Sequence, residues 1–212
     1  YFCKVVIFTI YICSNIFFLW FWKQSPYGDW CPPPVHVGGG QGPKPSSPYT
    51  SAFSYLKMIR QVHDFAERMG NKTLMKELDQ LNQSVTEEFN NVFSNSTTHC
   101  YDGCKTQTGL VLALSLNLAG ATTTQTQSLL IHDITAHQNH YTTGIIGAKF
   151  LYDELKRAGK EDLSLTLLEN VDYPSIGYYF ANTLEAATTN LWELPDAPFE
   201  GTGMNSRNHH MW

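Results

Sequence analysis

From Ser51 onward, apolar side chains return at steps of three and four. Tyr55, Ile59, Val62, Ala66 and Met69 form one such row, and Gly70 follows it. That spacing lines one face of an α-helix, so it predicts a helix that the glycine stops. Leu74, Leu78, Leu81, Val85, Phe89 and Val92 repeat the pattern on a second helix. Leu110 to Leu118 is apolar nearly throughout, as a helix covered on all sides would be. Further helices are predicted over Ser128–His137, Thr143–Ala158 (closed by Gly159), Lys160–Glu169 and Asn182–Trp192. No stretch alternates as a half-buried strand does. The fold class read from this is all-α, with about seven helices and mostly short links, which make antiparallel neighbours. Some helices are apolar on one side and others nearly all round. Inner and outer helices of a double-layered toroid give that mixture, and so does an ordinary bundle; the pattern leaves both open.

Before Ser51 the chain reads differently. Val5 to Trp22 is an apolar run between Lys4 and Lys23, and its length of about 18 residues is the minimum for a membrane span. A signal anchor is one reading; mistranslated or unrelated sequence is another. A cleaved signal peptide fits less well, because no small-residue cleavage site follows Trp22. The chain starts with Tyr1 and stops at Trp212, and both ends read as cuts in something longer. Residues 1–23 are therefore set apart as a hydrophobic segment. Residues 24–50 form a Pro- and Gly-rich loop region, and residues 51–212 the helical part. Gly38-Gly39-Gly40 lacks the strand–turn–helix context of a phosphate loop, which argues against nucleotide binding.

Composition narrows the function classes. The net charge is −5 and Lys and Arg are not clustered, so nucleic acid is not an expected partner. The five Trp and eleven Tyr can stack on sugar faces, although filling cores is the commoner use of such rings. Five Cys at irregular spacing are no disulfide framework, and no Cys/His spacing matches a structural zinc site. No metal or cofactor is expected. Cys100 and Cys104 are spaced to pair across a loop in an oxidising compartment. Asn71-Lys72-Thr73, Asn82-Gln83-Ser84 and Asn95-Ser96-Thr97 are glycosylation sequons, which lean toward a secretory route, extracellular or lysosomal.

Several phrases stand out in order along the chain. Tyr27-Gly28-Asp29-Trp30 comes first, then Thr106-Gln107-Thr108, then His140-Tyr141-Thr142-Thr143-Gly144-Ile145-Ile146-Gly147. Tyr173-Pro174-Ser175-Ile176-Gly177-Tyr178, Ala187-Thr188-Thr189-Asn190-Leu191-Trp192-Glu193 and Met204-Asn205-Ser206-Arg207-Asn208-His209-His210-Met211 follow. Each phrase is weak alone. As an ordered set over roughly residues 25–212 they resemble the catalytic domain of α-L-rhamnosidases, glycoside hydrolase family 78.

The resemblance implies a partial (α/α)6 toroid and an inverting hydrolase acting on terminal L-rhamnose in glycans or glycosides. It implies that Glu193 is the general base, that Asp29 and Trp30 line the sugar site, and that Asn208 and His209 sit there too. Trp192, beside the base, and His140, before the Thr142-Thr143-Gly144 loop, join the substrate-binding set. An inverting glycosidase needs two carboxyl groups about 6.5–9.5 Å apart, one protonating the leaving oxygen and one activating water. The sequence departs from the family in three places. The upstream acid phrase, resembling Asp-Cys-Pro-x-Arg-Glu, is absent. Asn190 looks like one extra residue, and Leu194-Pro195 stands where the family usually has an aromatic.

Plainer readings exist for each residue. Glu193 is also what a surface glutamate at a helix end looks like. Asp29 is also a turn aspartate bonding its own backbone. Two adjacent histidines, His209 and His210, make a poor metal site without a third ligand. Gln107 is a cap-region residue or a site residue. At the level of function, a non-catalytic carbohydrate-binding or scaffold protein of the same fold is the alternative. A membrane protein anchored by residues 5–22 is a third possibility, and a membrane is a partner only in that case.

Overall fold

The computed structural model describes residues 28–34, 41–95, 97–98, 100–101, 104–118, 122–181 and 192–194. Every regular element of more than one residue among them is a helix: α1 Ser47–Arg68, α2 Lys72–Phe93, α3 Gln107–Ser115, α4 Thr123–Ala136, α5 Ile145–Arg157, α6 Glu161–Glu169 and α7 Ile176–Ala181. The all-α expectation holds. The described residues fall into two compact units, one holding Gly28 and residues 46–94, the other the described parts of 29–45 and 95–194.

The first unit is a helical hairpin. α1 begins at Ser47, earlier than the apolar row suggested, because Pro48 falls in the first turn. Proline's fixed φ suits that turn, and its missing N–H has no helical partner there anyway. Gly70 ends α1 at φ +65, with Gly70 N bonded to Glu67 O and Asn71 N to Ala66 O. Asn71 then caps α2 by accepting from Leu74 N at 3.1 Å. Tyr49, Phe53, Leu56 and Ile59 of α1 and Leu74, Leu78, Val85 and Phe89 of α2 are buried. Met69 and Val92, expected on the buried faces, are exposed by 68% and 53%. Each lies in the last turn or C-cap of its helix, and its side chain faces solvent.

The second unit holds α3 to α7. Gln107 to Leu114 are all buried, so the expectation of a helix covered on every side holds. Its boundaries shift: Thr106 caps Gly109 N at 3.0 Å, and Asn117 at φ +53 turns the chain out. α3 packs against α4 and α5, α5 against α6, and α6 against α7. Their shared core includes Leu110, Val111, Leu114, Leu130, Ile134, Tyr141, Leu151, Leu155 and Leu167. Gly159, at φ +66, closes α5 as expected. α7 was not expected. Ser175 caps it by accepting from Tyr178 N at 3.0 Å, while Gly177 and its aromatic residues disguise the helix in sequence. The helix expected over 182–192 and the apolar run over 5–22 lie outside the described residues, save Trp192, which is not helical. Among the described residues no helix is long and apolar enough to cross a membrane.

Candidate active site

The N–H groups of a helix's first turn have no partner inside the helix. For α5 that partner is Asp29, which stands 115 residues before Gly144. Its Oδ2 accepts from Thr108 Oγ1 at 2.5 Å and from Gly144 N at 2.7 Å. Its Oδ1 accepts from Ile146 N at 2.9 Å and Gly147 N at 3.3 Å. Asp29 is 0% exposed. Burial pushes its carboxyl up from the ordinary aspartate value, while the Thr108 hydroxyl and the amides of Gly144, Gly147 and Ile146 pull it down, with burial the larger influence. A carboxylate accepts only, and at a helix N-terminus it also meets the positive end of the macrodipole.

Close approach explains the two glycines of this turn. A Cβ on Gly144 would lie 2.3 Å from Trp30 O and 2.8 Å from Asp29 Cγ. One on Gly147 would lie 2.5 Å from Thr108 Oγ1. Ile145 N donates to Trp30 O at 2.9 Å, so the backbone at Trp30 is tied to α5 as well. Cys31, buried and not disulfide-bonded, takes φ +51, which sharply redirects the chain after Trp30. Beyond it Gly42 N donates to Pro32 O at 3.0 Å, and Tyr173 Oη donates to Pro34 O at 3.3 Å.

Glu193 meets this segment. Trp30 Nε1 donates to Glu193 Oε1 at 2.5 Å, and Cys31 Sγ lies 4.0 Å from the same oxygen. Lys44 Nζ stands 5.9 Å from the Trp30 ring centroid, within cation–π range. Glu193 is half-buried between two buried neighbours, Trp192 and Leu194, exposed by 3% and 2%. Trp192 packs edge-on against Tyr179 at 5.4 Å, and Tyr179 Oη donates to Trp192 O at 3.4 Å. Tyr141 Oη lies 3.4 Å from Tyr179 Oη. A carboxylate anchored on both sides and held by an indole N–H can take a proton from water.

The structure thus brings together Trp30, Glu193 and Trp192, with Asp29 directly behind Trp30. His140 is tied to the turn ahead of α7: its Nδ1 lies 3.0 Å from Pro174 O and 3.2 Å from Asn170 Nδ2. Gln107 pins the segment that follows His140, donating to His140 O at 3.2 Å and accepting from Thr142 N at 2.8 Å. Asn208 and His209 lie outside the described residues. Among the described residues no group of three or more His, Cys, Asp or Glu is placed to hold a metal ion. Sequence reasoning gave no site role to Thr108, which stood in a quoted phrase, or to Cys31 and Tyr179. Gly144 and Gly147 stood in a quoted phrase, and their spacing at a helix start was the available signal.

A buried helical core carrying a half-buried carboxylate against an indole is a frame suited to carbohydrate chemistry, and comparison with known proteins makes that specific. Residues 14–212 match the bacterial α-L-rhamnosidase six-hairpin glycosidase domain, and the chain belongs to that family. An α-L-rhamnosidase of Formosa agariphila is 29% identical over 195 residues, covering 89% of this chain and 20% of that protein. The chain spans about a fifth of the length of the curated relatives it matches over most of its length. Among solved structures, the α-L-rhamnosidase of Dictyoglumus thermophilum covers 100% of this chain and 24% of its own, at 28% identity and a TM-score of 0.73. That of Streptomyces avermitilis, complexed with L-rhamnose, covers 86% of this chain and 17% of its own, at 25% identity and a TM-score of 0.71. The helices are therefore part of a six-hairpin glycosidase fold.

Proposed function

We propose that this chain is the base-bearing part of an enzyme that hydrolyses terminal α-L-rhamnosides with inversion. Glu193 is the general base, and the general acid comes from outside these 212 residues. The observation that carries this is the setting of Glu193: half-buried, flanked by buried Trp192 and Leu194, with Oε1 held by Trp30 Nε1. A base that activates water must keep a fixed direction, and this setting supplies it. Family membership supports the substrate class. In this reading Trp30 and Trp192 edge the site, His140 orients the loop before α5, and Asn208 and His209 add polar groups for the sugar. A secretory route is part of the proposal. It is supported by the Cys100–Cys104 disulfide and by the exposed sequon at Asn95.

The test is hydrolysis of p-nitrophenyl α-L-rhamnoside followed by proton NMR of the freshly released sugar, using the longer polypeptide that contains this chain. Inversion gives the β-anomer first. Initial release of the α-anomer contradicts the mechanism, and no hydrolysis contradicts the substrate class. The 212-residue chain alone should give no appreciable turnover. General acid catalysis contributes roughly 10²- to 10⁴-fold, and the leaving oxygen otherwise departs unprotonated.

A further inference from the structure

We propose that Asp29 and Trp30 are positioning residues for Glu193: Asp29 locks the Trp30 backbone to the start of α5, and the Trp30 indole N–H then fixes the carboxylate. This rests on the reading of Glu193 as the general base.

The expected sugar role asks a carboxylate to offer oxygen lone pairs to vicinal hydroxyls. Asp29 offers each oxygen to two protein donors instead and is 0% exposed. A sugar hydroxyl would have to displace one of them. The contacts run in one chain. Asp29 binds the amides of Gly144, Ile146 and Gly147. The amide between them, Ile145 N, binds Trp30 O at 2.9 Å. Consecutive residues of the incoming segment are thus bolted to one helical turn, and the left-handed turn at Cys31 swings the chain away directly after it. What leaves this fixed backbone is the Trp30 side chain, and its one polar atom lies 2.5 Å from Glu193 Oε1. An indole nitrogen donates only, so the contact fixes the direction of the carboxylate oxygen that accepts it. Catalytic groups work within about 0.5 Å of their productive position, so loss of this donor changes rate before it changes sugar affinity.

The experiment compares Trp30→Phe, Asp29→Asn, Thr108→Val and Glu193→Gln in the longer polypeptide. It measures kcat, KM, the inhibition constant of L-rhamnose and the thermal midpoint. Trp30→Phe keeps a ring and removes the donor. We expect kcat to fall roughly tenfold to hundredfold, the scale of a hydrogen bond to a charged group. KM and the inhibition constant should stay within about twofold. Asp29→Asn puts an amide donor against at least one backbone N–H in either orientation and should show the same split with a lower midpoint. Thr108→Val removes one donor to Asp29 and keeps the fold testable if the asparagine variant does not accumulate; its kcat loss should be smaller, again at constant KM. Unchanged kcat in Trp30→Phe, with Glu193→Gln inactive, overturns the positioning role and leaves the base intact. A raised inhibition constant with unchanged kcat makes these residues sugar ligands and also overturns it. Full turnover by Glu193→Gln removes the base itself, and this proposal with it.

Discussion

Gly144→Ala is the sharpest probe of how the segment at Asp29 is held. Gly144 has φ −79 and ψ −170, which alanine adopts without strain, so backbone preference contributes nothing to the effect. What changes is contact. The new Cβ would sit 2.3 Å from Trp30 O and 2.8 Å from Asp29 Cγ and Oδ1. Restoring ordinary contact means parting the two segments by about 1 Å. The Ile145 N to Trp30 O bond, now 2.9 Å, then lies beyond hydrogen-bond range. A net backbone hydrogen bond is worth about 1 kcal/mol, and a bond to a charged group about 1.5–3 kcal/mol. Overpacking adds about 1–3 kcal/mol. These effects overlap, so the expected loss is about 4 kcal/mol, a large part of a typical domain's stability. Gly159→Ala is the control. It lies at φ +66 with nothing within 4 Å of its Cβ, so only the left-handed backbone resists, at about 1 kcal/mol. The assay is urea unfolding of the longer polypeptide followed by tryptophan fluorescence, with rhamnoside turnover measured alongside. Gly144→Ala should lose both stability and turnover, and Gly159→Ala a little stability alone. A Gly144→Ala variant within about 1 kcal/mol of the parent and fully active would refute the clamp.

Three further outcomes follow from single features. Burial pushes Tyr152 up to about 12 and raises Tyr141 and Tyr179 as well. Unfolded tyrosines ionise near ~10 and the folded ones later, so stability is intact below pH ~10 and falls as pH rises, by at most roughly 1.4 kcal/mol per pH unit for each tyrosine; a flat unfolding midpoint from pH 9 to about 11.5 contradicts this. Among the described residues the buried Tyr152 hydroxyl has no hydrogen-bond partner, so Tyr152→Phe should raise unfolding free energy by about 1 kcal/mol, and a loss of that size in urea unfolding contradicts it. Produced through a eukaryotic secretory route, the chain should carry a glycan at Asn95, which is exposed; an unchanged peptide mass after glycosidase treatment of the parent, compared with Asn95→Gln, tells against that route.

How far the sequence could be read depended on how local the signal was. α2 and α5 were legible because their apolar rows, Leu74 to Phe89 and Ile145 to Leu155, are ended by local signals. The start of α1 was hidden by Pro48, which reads as loop yet suits a first turn. α4 starts at Thr123 rather than Ser128, because its first turn is polar and gives no periodic mark. α7 rests on a local cap by Ser175, which the aromatic and glycine residues after it mask, and on burial of Tyr179, which depends on Tyr141 and Trp192 further along the chain. The site shows the same division. Glu193, Trp30 and Trp192 were found through phrases that resemble a family. The contact between Trp30 and Glu193 joins positions 163 residues apart, and no spacing rule reports it. Asp29 was visible as a polar residue in a turn, but its partners at Thr108, Gly144, Ile146 and Gly147 belong to α3 and α5.

The most direct measurement is turnover of p-nitrophenyl α-L-rhamnoside by Glu193→Gln in the longer polypeptide that contains this chain. Glutamine nearly matches glutamate in shape but cannot accept water's proton, so the account predicts a kcat lower by roughly 10²- to 10⁴-fold in a protein with the parent's thermal midpoint. Turnover within about threefold of the parent would remove Glu193 from the base role and the central claim with it.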